Sequence, residues 1–175
     1  MVAGIFTERL RLVPCHPAQH VALLTAPDRF RELAGFPAHE SLVRMYTSGD
    51  ISAEWLASLR RATDTDPWQF GFYLVELASG TAIGSAGFTG PPNPRGVAEI
   101  AYGLVPEREG QGFATEAAAA LVRFAFEDAR VARLCARTLP AANASTRVLA
   151  KNGFTFIGEE IVPDDGLVWR WERGR

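Results

Sequence analysis

At 175 residues, with 47% hydrophobic and 22% charged side chains, the chain has globular composition and the length of one domain that buries about 70% of its unfolded surface. A net charge of −2 and a pI near 5.9 exclude an overall basic field, so neither nucleic acid nor a membrane surface is an expected partner. No apolar run approaches about 18 residues and no basic-flanked apolar core opens the chain, so a cytoplasmic protein without membrane span or signal peptide is expected.

The first element is a strand over 6–13, with Leu10 and Leu12 on one face and Arg9 and Arg11 on the other, closed by Pro14 and Pro17. Short helices follow at 18–25 and 28–34, the second ended by Gly35 and Pro37. The pattern over 36–50 is ambiguous. Ser52 can cap a helix reaching about Ala62, with Trp55, Leu56 and Leu59 inward. Residues 69–77 and 81–89 read as strands of a hairpin turning at Ala78-Ser79-Gly80. The run Gly90 to Gly96, with three prolines, can only be a loop.

Residues 98–128 organise the rest. Ala98 to Val105 reads as a strand that Pro106 ends, Glu107 to Gly112 as a charged turn, and the alanine-rich segment from Ala114 to about Asp128 as a helix. That helix is apolar around most of its circumference and should lie on a sheet. A strand at 134–139, a helix at 144–151 stopped by Asn152-Gly153, and a hairpin of strands 154–160 and 167–172 complete the chain. The order predicts the α+β class: a mixed, mostly antiparallel central sheet with helices on both faces.

The turn before the long helix admits two readings. Gly110 and Gly112 remove the Cβ atoms that would keep a ligand from the backbone, and a helix N-terminus offers unpaired N–H groups and a positive dipole end, so a phosphate fits. Alternatively the glycines only permit the turn. The P-loop pattern is absent, and the dinucleotide fingerprint would need glycine where Thr115 stands. Cys15 and Cys135 lack metal-ligand spacing and read as buried thiols, and His16, His20 and His39 form no cluster with them, so no metal is expected.

Glu109-Gly110-Gln111-Gly112-Phe113-Ala114 resembles the acetyl-CoA signature of the GNAT N-acetyltransferases, with Glu109 standing where the family has Arg or Gln. Three more blocks carry the resemblance in the family's order: Thr7 to Leu12, Ile83 to Phe88, and Asn143 to Phe154. Together they span nearly the whole chain and are most similar to the Rim-type branch, which acetylates ribosomal-protein N-termini. The resemblance implies a sheet splayed between the strands at 98–105 and 134–139, with acetyl-CoA as cosubstrate in the opening. The pyrophosphate would lie on the backbone of Glu109, Gly110, Gln111, Gly112, Phe113, Ala114 and Thr115. Leu104 and Val105 would offer backbone groups to the pantetheine arm, and Asn143 would touch the cofactor.

Glu99 is the candidate general base, a polar residue on an apolar strand that shares a face with the small Ala101 and Gly103. Its other reading is an ion pair with an arginine. Ser145 is the candidate proton donor to the leaving thiolate. The match is imperfect there: Ala142 occupies the family's usual Asn position, and Leu149 the position of a common Tyr. Asn143 or Ser145 can equally be a plain N-cap. The acceptor should be an amine-bearing small molecule or a peptide N-terminus, bound among Trp55, the 90–96 loop and the hairpin near Asp164 by a monomer or homodimer. The competing reading is an acetyl-CoA sensor that has lost the chemistry.

Overall fold

The computed structural model describes residues 3–48, 53–163 and 165–175. Eight strands form one sheet: β1 Ile5–Phe6, β2 Leu10–Pro14, β3 Phe72–Glu76, β4 Thr81–Phe88, β5 Val97–Leu104, β6 Arg133–Thr138, β7 Thr155–Val162 and β8 Gly166–Gly174. Their order is β1-β2-β3-β4-β5-β6-β8-β7, antiparallel throughout except for the parallel pair β5–β6. The helices are α1 Pro17–Thr25, α2 Phe30–Ala34, α3 Glu40–Thr47, α4 Ala53–Arg61, α5 Pro67–Phe70, α6 Phe113–Glu127 and α7 Ala144–Lys151. This is the expected α+β arrangement.

Strand β3 shows that both faces are covered, because all five of its residues are buried. Neighbouring strand residues point to opposite faces. Phe72 packs against Phe124 of α6, and Tyr73 packs against His20 of α1 and Phe30 of α2. Helix α6 therefore lies on one face and α1 and α2 on the other. Ala117, Ala120, Leu121 and Ala125 of α6 are fully buried, so its small side chains bring the helix close to the sheet. A buried leucine such as Leu121 contributes about 1.5–3 kcal/mol.

Several boundaries depart from the sequence reading. The expected strand 6–13 is two strands, because Thr7 folds the chain into a turn. Its N–H donates to the Leu10 carbonyl at 2.9 Å, and the Leu10 N–H returns to its Oγ1 at 3.1 Å. The strand expected from Gln69 starts at Phe72. Asp66 caps the Trp68 N–H at 2.9 Å, Pro67 opens the one-turn α5, and Gly71 leaves it at a φ of 68°. The ambiguous 36–50 segment holds α3, capped by the His39 side chain. In α4, Leu59 is buried as expected, but Trp55 is 39% exposed rather than inward. The Ser52 cap and Asp164 lie outside the described residues.

Candidate active site

Strand β5 runs into a 3-10 turn at Pro106–Arg108, and α6 begins at Phe113 behind Gly112. Gly110 and Gly112 have φ of 71° and 87°, a region that favours glycine. The Glu116 N–H makes the first helical bond, to the Gly112 carbonyl at 3.1 Å. The N–H groups of Phe113, Ala114 and Thr115 thus have no partner in the helix, and no side chain caps them. An anion fits these donors and the dipole behind them. A Cβ at Gly112 would sit 3.3 Å from Arg9 Nη2.

Three tethers hold this turn. Glu116 accepts from Thr7 Oγ1 at 2.6 Å, from the Arg9 N–H at 2.7 Å and from Arg9 Nε at 2.9 Å, and Arg9 Nη1 reaches the Gln111 carbonyl at 2.9 Å. Burial pushes the Glu116 carboxyl up, but these donors together hold it below its ordinary range. On the other side, Ser41 Oγ of α3 donates to Glu107 at 2.6 Å, while Arg44 donates to that same Oγ at 2.7 Å. The Asn152 amide donates to the Thr115 carbonyl at 3.2 Å and to the Val148 carbonyl at 2.9 Å, fixing α7 against the first turn of α6.

The register explains the opening beside the turn. Strands β5 and β6 pair only at Val97↔Arg133, Ala98↔Leu134 and Glu99↔Cys135, then diverge. On the β4 side, Val105 donates to the Ile83 carbonyl and Thr89 donates to the Glu99 carbonyl. In an antiparallel ladder these bonds recur at alternate residues. The N–H and C=O groups of Glu99, Ala101, Gly103 and Val105 therefore face β4, and those of Tyr102 and Leu104, beyond the last paired residues, face the gap that β6 has left. Backbone groups of this kind need a partner.

The resulting cleft of about 470 Å³ is lined by Leu104, Glu109, Gly110, Gly112, Ala114, Thr115 and Ser145 among the residues singled out from sequence. Val105 is fully buried with its N–H committed to Ile83, so it does not line the cleft. Neither does the Gln111 side chain, which donates to the Glu107 carbonyl, nor the Phe113 ring, packed beneath the Arg9 guanidinium. Asn143 is the N-cap of α7, its Oδ1 accepting from the Thr146 N–H at 3.0 Å. The sequence reading missed Tyr102, Met45, Arg147 and Lys151, all on the wall. Arg147 and Lys151 are four apart on α7 and form no ion pair among the described residues, so both cations are available to an anionic ligand. Their spacing on one helix face was the signal that could have found them.

Glu99 stands on the same face as Ala101, but it is not alone. Its Oε2 accepts from Arg137 Nη1 of β6, and Arg137 also donates from Nε and Nη2 to Glu160 of β7, at 3.1 and 3.3 Å. Its Oε1 has no protein partner among the described residues. The pair lies beside a hollow of about 460 Å³ that Tyr102, Ser145 and Asp165 also line. Tyr102 reaches across the opening, its hydroxyl 3.4 Å from the Ser145 carbonyl. Burial pushes its phenol up to about 12, against a lowering contact from Ser145, so it is protonated at neutral pH.

A third hollow, on the α1 face, is walled by His20, Tyr46, Trp55 and Tyr102. His20 Nδ1 lies 2.7 Å from the Tyr73 hydroxyl, and burial lowers the imidazole to about 4 from 6.5. His16 caps α1 instead of joining it, accepting from the Ala18 N–H at 3.2 Å. No residue of the 90–96 loop lines any of these hollows; Asn93 folds that loop on itself by accepting from the Arg95 and Val97 N–H groups. Among the described residues there is no group of three or more metal-ligating side chains, and no helix is long and apolar enough to cross a membrane.

His20 gives a testable acid response. Its folded value lies below its unfolded one, so the unfolded chain takes up the proton first. Stability is complete above pH 6.5 and falls as pH drops toward 4, by up to about 3 kcal/mol. Urea melts at pH 7 and pH 4.5 should differ accordingly. His20→Asn should flatten that slope. Equal slopes in the two proteins would show that the acid response arises elsewhere.

The residues present suit acetyl-CoA: an uncapped helix end behind two left-handed glycines, orphaned strand groups at Tyr102 and Leu104, and two unpaired cations opposite. A search of curated proteins gives no match to the sequence. Solved structures do share the fold. A ribosomal-protein-S5-alanine acetyltransferase from Vibrio fischeri superposes with a TM-score of 0.68 at 17% identity, covering 99% of this chain and 97% of that one. A GNAT-family acetyltransferase from Bordetella pertussis gives 0.64 at 24% identity over 99% and 100%. The aminoglycoside acetyltransferase AAC(6')-Ib, solved with coenzyme A, gives 0.58 at 21% identity over 95% and 94%. The model of the acetyltransferase (GNAT) domain matches residues 9–155, and the chain therefore belongs to the GNAT family of acetyl-CoA-dependent N-acetyltransferases.

Proposed function

We propose that the protein transfers the acetyl group of acetyl-CoA directly to a primary amine, with both substrates bound at once. The observation that carries this reading is the divergence of β5 from β6 after Glu99, which opens the sheet between the cleft beside α6 and α7 and the hollows that meet it at Tyr102. Acetyl-CoA supplies the activated acyl group. The chain's part is to hold and orient it: the Phe113, Ala114 and Thr115 N–H groups for the pyrophosphate, Arg147 and Lys151 for further phosphate charge, and the backbone of Tyr102 and Leu104 for the pantetheine arm. Glu99 takes the amine's proton through its free Oε1, directly or by one water. The Ser145 hydroxyl gives a proton to the departing thiolate. Tyr102, kept protonated by burial, is a second donor for that step.

The acceptor is a small amine or a peptide N-terminus. The Vibrio fischeri and AAC(6')-Ib structures represent one of each kind on the same fold. The experiment is release of free thiol from acetyl-CoA in the presence of a panel of amines and peptides. Saturable release that requires an acceptor supports transfer. A second reading, an acetyl-CoA sensor, is favoured by the Glu99–Arg137 pair and by buried Leu149, which has no proton to give the thiolate. Tight CoA binding with no release across the panel would establish that reading instead.

A further inference from the structure

Resting on the acyl-transfer reading above, we infer that the hollow on the α1 face receives the group next to the reacting amine, and that this group is a single apolar or aromatic one. The acceptor class is then a monoamine with an aromatic or bulky apolar substituent rather than a polyamine or an amino sugar. Three features of the hollow lead there.

The first is its place. Ala101 and Tyr102 of β5 line it, and Tyr102 also lines the cofactor cleft. Helix α3 spans the same junction, with Met45 on the cleft and Tyr46 on the hollow. A substituent seated here leaves its amine at the opening of the sheet.

The second is its lining. The walls are the rings of Tyr46, Trp55 and Phe70, with Gln69 and Ser85 as neutral polar groups beside them, and His20 stands with its ring edge-on to Tyr46 and Trp55 at 5.7 and 5.8 Å. No charged side chain among the described residues lines it. His20 is neutral at working pH, tied through Nδ1 to Tyr73. Tyr46 is bonded to Ser85. The carboxylates Glu99 and Asp165 line the other hollow, and Glu99 and Glu160 are already paired with Arg137. Aromatic faces accommodate one ammonium. Several ammoniums entering together need carboxylates to replace their water, which this lining does not offer.

The third is its size. The volume is about 270 Å³, below the roughly 300–1,000 Å³ of sites that enclose a whole drug-sized ligand. The floor cannot recede or be refilled cheaply, because Gly71 and Gly87 pack backbone to backbone: a Cβ on Gly87 would lie 2.7 Å from the Gly71 Cα. One ring fits such a space; a linked pair of sugars does not.

The test uses the full chain saturated with CoA, titrated calorimetrically with 2-phenylethylamine and with spermidine. The aromatic amine should bind at least tenfold more tightly. Trp55→Ala should weaken it at least fivefold with CoA affinity unchanged. Ala101→Asp, which adds a carboxylate at an exposed position on the rim, should reverse the preference, and thermal melts establish that both variants are folded. Tighter binding of spermidine to the parent protein, no saturable binding of the aromatic amine, or equal binding of that amine by Trp55→Ala and the parent each overturn the inference. Thiol release from acetyl-CoA, measured in parallel, separates the two readings. Binding of 2-phenylethylamine without release rejects acyl transfer and leaves the hollow's assignment standing. Release with spermidine but not with 2-phenylethylamine rejects the assignment and leaves transfer standing.

Discussion

Gly112→Asp is expected to weaken CoA binding about 100-fold or more, roughly 3 kcal/mol. Position 112 has a φ of 87° and serves as the N-cap of α6 without a side chain of its own. An aspartate there has two ways to settle, and both occupy the anion site. It can cap the free N–H groups of Ala114 and Thr115, as aspartate does at ordinary helix starts. Or it can draw Arg9, whose Nη2 would be 3.3 Å from the new Cβ, away from Glu116. In either case a fixed negative charge meets the pyrophosphate. Gly112→Ala is the control for shape: it carries the cost of a left-handed residue, about 1–3 kcal/mol, without the charge, and much of that cost falls on folding rather than binding. Calorimetry with CoA should therefore rank glycine first, alanine next and aspartate last. Unchanged affinity in Gly112→Asp would remove the phosphate from this turn.

Glu99→Gln is expected to lower kcat by about 100-fold while CoA affinity stays the same. A positioned base contributes about 10²–10⁴-fold. The low end applies here because Arg137 already engages Oε2, which leaves one carboxylate oxygen for the amine. Glutamine preserves the shape and leaves Arg137 paired with Glu160, so the fold should survive. It cannot take a proton near neutral pH, so the base is lost while the shape is kept. If the variant turns over like its parent from pH 6 to 9, Glu99 has only its structural role in bridging β5 to β6 through Arg137.

Local chemistry was readable wherever a segment's own residues decide its conformation. Pro106, the paired glycines and the alanine run fixed β5, the turn and α6 to within a residue or two. The same held for the Ala78-Ser79-Gly80 hairpin and for α7. Reading failed where a side chain folds the backbone against the periodicity. Thr7 splits an apparently continuous strand by bonding Leu10, and Asp66 with Pro67 starts a helix inside an apolar stretch that alternation assigned to a strand. Trp55 looked like core by its helical spacing, yet it forms the wall of an open hollow.

The sequence by itself determined the family and the glycine turn that exposes helix-end donors, because glycine conformation, helix ends and motif order are properties of contiguous residues. Tertiary structure decided the rest of the site. The orphaned groups of Tyr102 and Leu104 follow from which residues of β5 face β4, a register that no single strand encodes. The partnership of Glu99 with Arg137 joins residues 38 apart in the chain, through the three-residue pairing of β5 with β6. Glu116 looks like an ordinary first-turn acid until Thr7 and Arg9 arrive from more than 100 residues away to bind it. Ion pairs and shared hollows form between whichever side chains the sheet order brings together, and that order is set by the packing of all the elements at once.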